Sequence, residues 1–147
     1  MSKKYSNVND SQRETIIALA VLVVISMAAR LLFMGRHLEG WDSIDFALGL
    51  HDYDIEYYQP HFPGYPVYMS FCWLVHLFTD SDVFALIVPG VLFGSITLVP
   101  LFYLARRMFA EKVAWLTAIL FILNPLCWLQ SEKALSDAVG LFFVIVS

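Results

Sequence analysis

The sequence predicts an all-α integral membrane protein, and three observations carry that prediction. Of 147 residues, 59% are hydrophobic and only 15% are charged, with a mean hydropathy of +0.67. The apolar residues are gathered into long uncharged runs. The basic residues Lys3, Lys4 and Arg13 and the later group Arg106, Arg107 and Lys112 flank those runs in a pattern that sidedness rules can read. A soluble domain of this length needs a wider polar shell than nine bases and thirteen acids provide. A net charge of −4, with no basic cluster beyond a dibasic pair, excludes nucleic acid as a partner, because phosphate backbones demand dense Lys and Arg.

The elements follow in order. Residues 16–34 form a run whose only charge is Arg30, long enough at about 1.5 Å per residue to cross a hydrocarbon core of about 30 Å. No small-x-small cleavage site follows it, so it reads as an uncleaved anchor. Residues 83–105 are uncharged and punctuated by Pro89, Gly90, Gly94 and Pro100, which membrane helices tolerate. Residues 113–131 make a third span, with Asn124-Pro125 predicted to kink or end it. Residues 138–147 start a fourth apolar helix that stops in mid-run, the pattern expected of the N-terminal piece of a larger multispan protein. The run 67–78 is too short to cross; it is expected to lie embedded in the outer leaflet, with Tyr65, Tyr68 and Trp73 at the interface. Lys and Arg then place the N terminus and the 106–112 turn in the cytoplasm and residues 35–82 and 131–137 outside. Arg30, near the outer end of the 16–34 run, is expected either to meet a lipid phosphate or to snorkel to the headgroups, the commoner fate. Cys72 and Cys127 lie inside apolar runs without metal-ligand spacing, so they read as buried thiols.

The outer loop carries the chemistry. Read as a helix, the segment from Trp41 puts Trp41, Ile44 and Leu48 on one face and Asp42, Asp45, Gly49 and Asp52 on another. Such a helix lies flat on a membrane and directs carboxylates at the space above, where partial desolvation makes a carboxylate a better general base. Helix capping by Asp42, with Asp45 three residues on, is the competing reading; acids after Ser81 and Ser136 admit the same reading. The stretch Tyr57 to Tyr68 contains Pro60, Pro63, Gly64 and Pro66, which forbid a regular helix around His61 and Tyr65 and suit sugar or phosphate recognition. His76 is expected to be a packed residue, and His51 and His37 give no specific signal.

Trp-Asp-Ser-x-x-Phe-Ala-Leu at Trp41 to Leu48, Gln-Pro-His-x-Pro-Gly-Tyr-Pro at Gln59 to Pro66, the basic turn at Ala105 to Phe109, and Asn-Pro-Leu with Ala-Leu-Ser-Asp ending at Asp137 occur in this order. Together they resemble the N-terminal part of GT-C fold membrane glycosyltransferases, most closely the bacterial relatives of protein O-mannosyltransferases and lipid A aminoarabinose transferases. The resemblance implies transfer of a sugar, with inversion, from a polyprenyl-phosphate-linked donor to a protein, lipid or glycan acceptor outside the membrane. It implies Asp42 as the catalytic base. The family often has Asp-Glu where this chain has Asp42-Ser43, which leaves Asp45 as the substitute acid and a divalent cation as an option rather than a requirement. The family's His-Pro-Pro motif is matched by His61-Phe62-Pro63, with Phe62 departing from it, and Asp137 matches a polar position at the mouth of the fourth span. His61 and Tyr65, with Arg36 and Lys133, are the expected donor contacts.

A rival class is a transporter, which also breaks its spans with Pro and Gly. Transporters usually set polar groups at mid-membrane, whereas ten of the thirteen acids here fall in the segments expected outside. A noncatalytic membrane subunit is the remaining alternative. The 147-residue piece alone is expected to be inactive, because a donor groove needs later spans.

Overall fold

The computed structural model describes the backbone of residues 2–147 and the side chains of residues 11–147, so the side chains of Lys3 and Lys4 lie outside the described residues. The described residues form eight α-helices: α1 Ser2–Phe33, α2 Trp41–His51, α3 Pro66–His76, α4 Asp82–Ile96, α5 Leu98–Met108, α6 Glu111–Leu123, α7 Pro125–Glu132 and α8 Asp137–Val146. One 3₁₀ turn, Ile55–Tyr57, interrupts the loop between α2 and α3. Among the described residues no strand occurs; an isolated antiparallel bridge joins Asp54 and Gln59.

Two helical stretches are long and apolar enough to cross a membrane, Ser11–Phe33 and Asp82–Met108, and the bent pair α6–α7 makes up to a third. The second stretch runs through two elements because the ladder continues across Thr97. The Thr97 amide donates to the Phe93 carbonyl at 3.0 Å and the Leu101 amide to the Thr97 carbonyl at 3.1 Å. Pro100 has no N–H to offer the carbonyl of Ile96, and the regular pattern lapses there. The hydroxyls of Ser95 and Thr97 donate back to the carbonyls of Val91 and Phe93, so neither is left bare in an apolar setting. Asn124 ends α6 as expected. Its side-chain oxygen accepts from the amides of Leu126 and Cys127, capping α7, which turns by 53° from α6.

Packing divides into two apolar clusters. One surrounds α4 and includes Met69 and Cys72 of α3 with Ala85, Leu86, Ile87 and Val91, all essentially inaccessible. The other joins α5 and α6 through Leu98, Phe102, Ala114 and Ala118, with Phe102 against Trp115 at 4.6 Å. Helix α1 touches the second cluster through Leu19 and the first through Met27, with Met34 just beyond its end, so it runs antiparallel to α4–α5. Consequently Arg13 shares one end of the bundle with the 106–112 turn, where Arg106 meets Glu111 at 3.3 Å, and the 35–82 segment occupies the other end. The outward sides of α1 and α6 leave Ile17, Val24, Ile25, Leu32, Leu116 and Leu120 more than half exposed. An apolar surface of that extent suits a lipid environment.

α4 meets α7 closely. An added Cβ on Gly90 would come within 2.9 Å of the Ser131 carbonyl oxygen, and one on Gly94 within 2.8 Å of the Ser131 Cβ. Glycines one turn apart form the small-residue face that lets membrane helices approach backbone to backbone.

Three expectations are corrected here. Arg30 does not snorkel: its side chain is wholly buried, donates to the hydroxyl and carbonyl of Ser26, and sits 5.2 Å over the Trp128 ring. The aromatic face, with Glu132 accepting from the Trp128 indole at 2.6 Å, gives the guanidinium an internal setting that the headgroups would otherwise supply. Tyr68 and Trp73 do not present their polar atoms to an interface. The Tyr68 hydroxyl donates to the Leu86 carbonyl at 2.8 Å and the Trp73 indole to the Leu50 carbonyl at 3.1 Å, so both tie α3 to its neighbours. Finally, Cys72 is buried as expected, but Cys127 is only partly so.

Candidate functional site

The site begins with how α2 is seated. Its N-cap is Gly40, which has no side chain to offer, so Asp42 lies within the first turn and caps nothing. That corrects the capping reading for Asp42. An acid there still gains from the helix dipole. By contrast Ser81 does cap α4, accepting from the Phe84 amide at 3.3 Å, while Ser136 makes no side-chain cap on α8.

The first turn of α2 is tied to the segment before α8. Ser43 donates its hydroxyl to the Ala134 carbonyl at 3.1 Å, and Lys133 Nζ lies 2.7 Å from Glu39 Oε2. The bond from Lys133, then its charge, holds the Glu39 carboxyl below its ordinary range. Lys133 is therefore engaged with Glu39. Asp42 itself is exposed on this tethered turn, with no ion-pair or hydrogen-bond partner among the described residues.

The faces of α2 divide differently from the sequence expectation. Trp41, Ile44 and Leu48 do form an exposed apolar face. On the opposite side Asp42 and Asp52 are exposed as expected, but Asp45 is partly covered and Gly49 is buried where the proline loop returns across it: a Cβ there would fall 2.8 Å from Pro60. Only glycine leaves room for that crossing. The loop is stiffened further by Gly64 at φ +85°, whose carbonyl accepts from the Tyr53 hydroxyl at 3.0 Å.

This return brings His61 onto Asp45. His61 Nδ1 faces Asp45 Oδ2 at 3.3 Å, near enough for charge pairing but off the line of a hydrogen bond, so a buried ring nitrogen remains without one. Both side chains are about one-fifth exposed. The imidazole packs on Phe46 at 5.3 Å and Tyr65 at 5.1 Å, and Phe46 also meets Tyr65 edge-on at 5.2 Å. Tyr65 then lines an open, mainly apolar groove of about 490 Å³ whose far wall is α8, with Asp137 at its polar end. Asp137 also borders a second groove of about 320 Å³ against Gly94, Cys127 and Ser131.

Of the expected residues, Asp45, His61 and Tyr65 form one cluster, Tyr65 and Asp137 face one groove, and Asp42 stands on the adjoining tethered turn. Arg36 is placed elsewhere: it lines a separate depression of about 480 Å³ with Phe78, Ser81 and Phe84. Sequence reasoning missed the role of Phe46, whose ring organises the cluster; an apolar residue directly after Asp45 on an amphipathic helix was the available signal. It also missed that His51 and His76 both meet Asp82.

No protein family, curated protein or solved structure matches the chain.

Proposed function

We propose that the chain belongs to a membrane glycosyltransferase that moves a sugar from a polyprenyl-phosphate carrier to an acceptor at the end of the bundle formed by residues 35–82. The observation that supports this reading most is the Asp45–His61–Tyr65 cluster opening onto an apolar groove closed by Asp137. An isoprenoid carrier needs an apolar bed continuous with lipid, and its sugar phosphate needs hydrogen-bond donors and rings at the mouth; a groove lined by Val67, Leu141 and Phe143 beside His61 and Tyr65 offers both.

Asp42 acts as the base in this scheme. Its carboxylate removes the acceptor proton while the acceptor oxygen bonds to the anomeric carbon, and the bond from that carbon to the phosphate oxygen breaks with its electron pair leaving on phosphate. The Nε2 edge of His61 and the Tyr65 hydroxyl hold the donor head, while Asp45, facing the buried Nδ1, orients the ring. The basic end of the bundle faces the cytoplasm and the site faces outward.

With the intact protein in membranes and a panel of polyprenyl-phosphate-linked sugars, Asp42→Asn lowers turnover at least about 100-fold, the lower range for a lost general base, with insertion unchanged. Undiminished transfer removes Asp42 from the mechanism, and a wild-type protein inert toward every donor sinks the reading. Sidedness has its own measurement. In a background lacking Cys72 and Cys127, a membrane-impermeant thiol reagent applied from outside labels a cysteine at Asp54 and spares one at Glu111; the reverse pattern inverts the orientation.

A further inference from the structure

We propose that His51, His76 and Asp82 bind a divalent ion of the borderline class, with zinc as the reference ion. They come from three helix ends: His51 is the last residue of α2, His76 the last of α3, and Asp82 the first of α4. His51 Nε2 lies 3.0 Å from Asp82 Oδ2 and His76 Nε2 3.1 Å from Asp82 Oδ1, and one ligand atom from each residue lies within 4.8 Å of the other two. A tetrahedral ion with bonds of about 2.0–2.2 Å spaces its ligands by roughly 3.3–3.6 Å. The three donors are thus already near the edges of one coordination polyhedron, and small ring rotations bring them to it.

The donor set selects the ion. Two imidazoles and one carboxylate suit zinc, ferrous iron, nickel or copper, whereas magnesium and calcium take mainly oxygen ligands. The backbones that carry the ligands are fixed independently of the cluster. Trp73 bonds the Leu50 carbonyl beside His51, and the turn before Asp82 is held by the Ser81 amide on Thr79 Oγ1 and by the Ser81 cap on Phe84. The imidazole planes stand perpendicular, at 89°, as two rings converging on one point from different helices can. His51 is 60% exposed, which gives an ion a route in and leaves a position open to water. The sharing of one partly exposed carboxylate by two imidazoles is the alternative account of the same geometry, and it contributes little stability.

The test uses the intact protein in detergent or nanodiscs, stripped with a chelator, then titrated with Zn²⁺ against a chromophoric competitor and separately with Co²⁺ followed by visible absorption. One equivalent of Zn²⁺ should bind, Co²⁺ should show the d–d bands of a nitrogen-ligated site, and millimolar Mg²⁺ should not displace either. His76→Gln and His51→Gln should each weaken binding at least tenfold and their double variant should abolish it, while helix content by circular dichroism and the metal-free melting temperature stay at wild-type values. Failure of the stripped wild type to bind one equivalent, unchanged binding in the double variant, or displacement by Mg²⁺ would each overturn the assignment. Because the readout is metal binding and not sugar transfer, its outcome is independent of the proposed enzymatic activity.

Discussion

Gly94→Leu should lower the stability of the protein in detergent by about 3 kcal/mol or more, the upper range for overpacked sites. The reason is local. Even the first carbon of a side chain at position 94 falls within 2.8 Å of the Ser131 Cβ and closer still to its hydroxyl oxygen, and Ala138 stands on the other side. A branched side chain must push α7 off α4, and α7 is the element on which Arg30 and Gly35 both depend. The pair Gly90 and Gly94 supplies an internal control, because the obstacles differ. At Gly94 they are side-chain atoms of Ser131; at Gly90 the nearest is a backbone carbonyl. Ser131→Gly should therefore recover most of the stability lost in Gly94→Ala and none of that lost in Gly90→Ala. Equal rescue of both, measured by thermal or denaturant unfolding, would show that the approach of α4 to α7 is not what limits these positions.

Gly64→Val should be nearly as damaging, at about 2–5 kcal/mol, through two independent costs. A β-branched residue at φ +85° sits in the left-handed region, at about 1–2 kcal/mol. The new Cβ would also lie 2.6 Å from the Tyr53 hydroxyl oxygen and 2.7 Å from Ile55 Cδ1, and overpacking adds about 1–3 kcal/mol. Because Gly64 sits between His61 and Tyr65, the strain reaches the candidate site directly. Hydrogen exchange should rise across residues 53–65 and leave α5–α6 unchanged; protection retained throughout the loop would mean that the loop does not depend on this glycine.

Much of the architecture was legible because long uncharged runs have one physical solution in lipid, the closed hydrogen bonding of a helix. Hence α1, the α4–α5 stretch, the bend at Asn124 and the short α3 all lie near their expected places. The misread features share a cause, which is a partner distant in sequence. Arg30 was assigned to the headgroups because the ring that covers it, Trp128, lies about two thirds of the chain away, and Ser26 one turn back does not by itself signal burial. The covering of Asp45 and Gly49 on α2 was missed because helical spacing says nothing about a loop that comes back across Gly49. Asp45, His61, Tyr65 and Asp137 were each visible as residue types, but only the fold sets Tyr65 and Asp137 across one groove. Asp82 meets His51 from 31 residues away and His76 from 6, a spacing that matches no local metal-binding pattern.

The 53° turn between α6 and α7 affects the surrounding bilayer. Taken along α6, thirteen residues rise about 20 Å; the eight of α7, laid over by that angle, add only about 7 Å where a straight continuation would add about 12 Å. If the pair crosses as one segment, it reaches about 27 Å, a few ångströms short of an average hydrocarbon thickness. Lipids beside it must compress to meet it, and that hydrophobic mismatch favours a locally thinned patch next to Asn124.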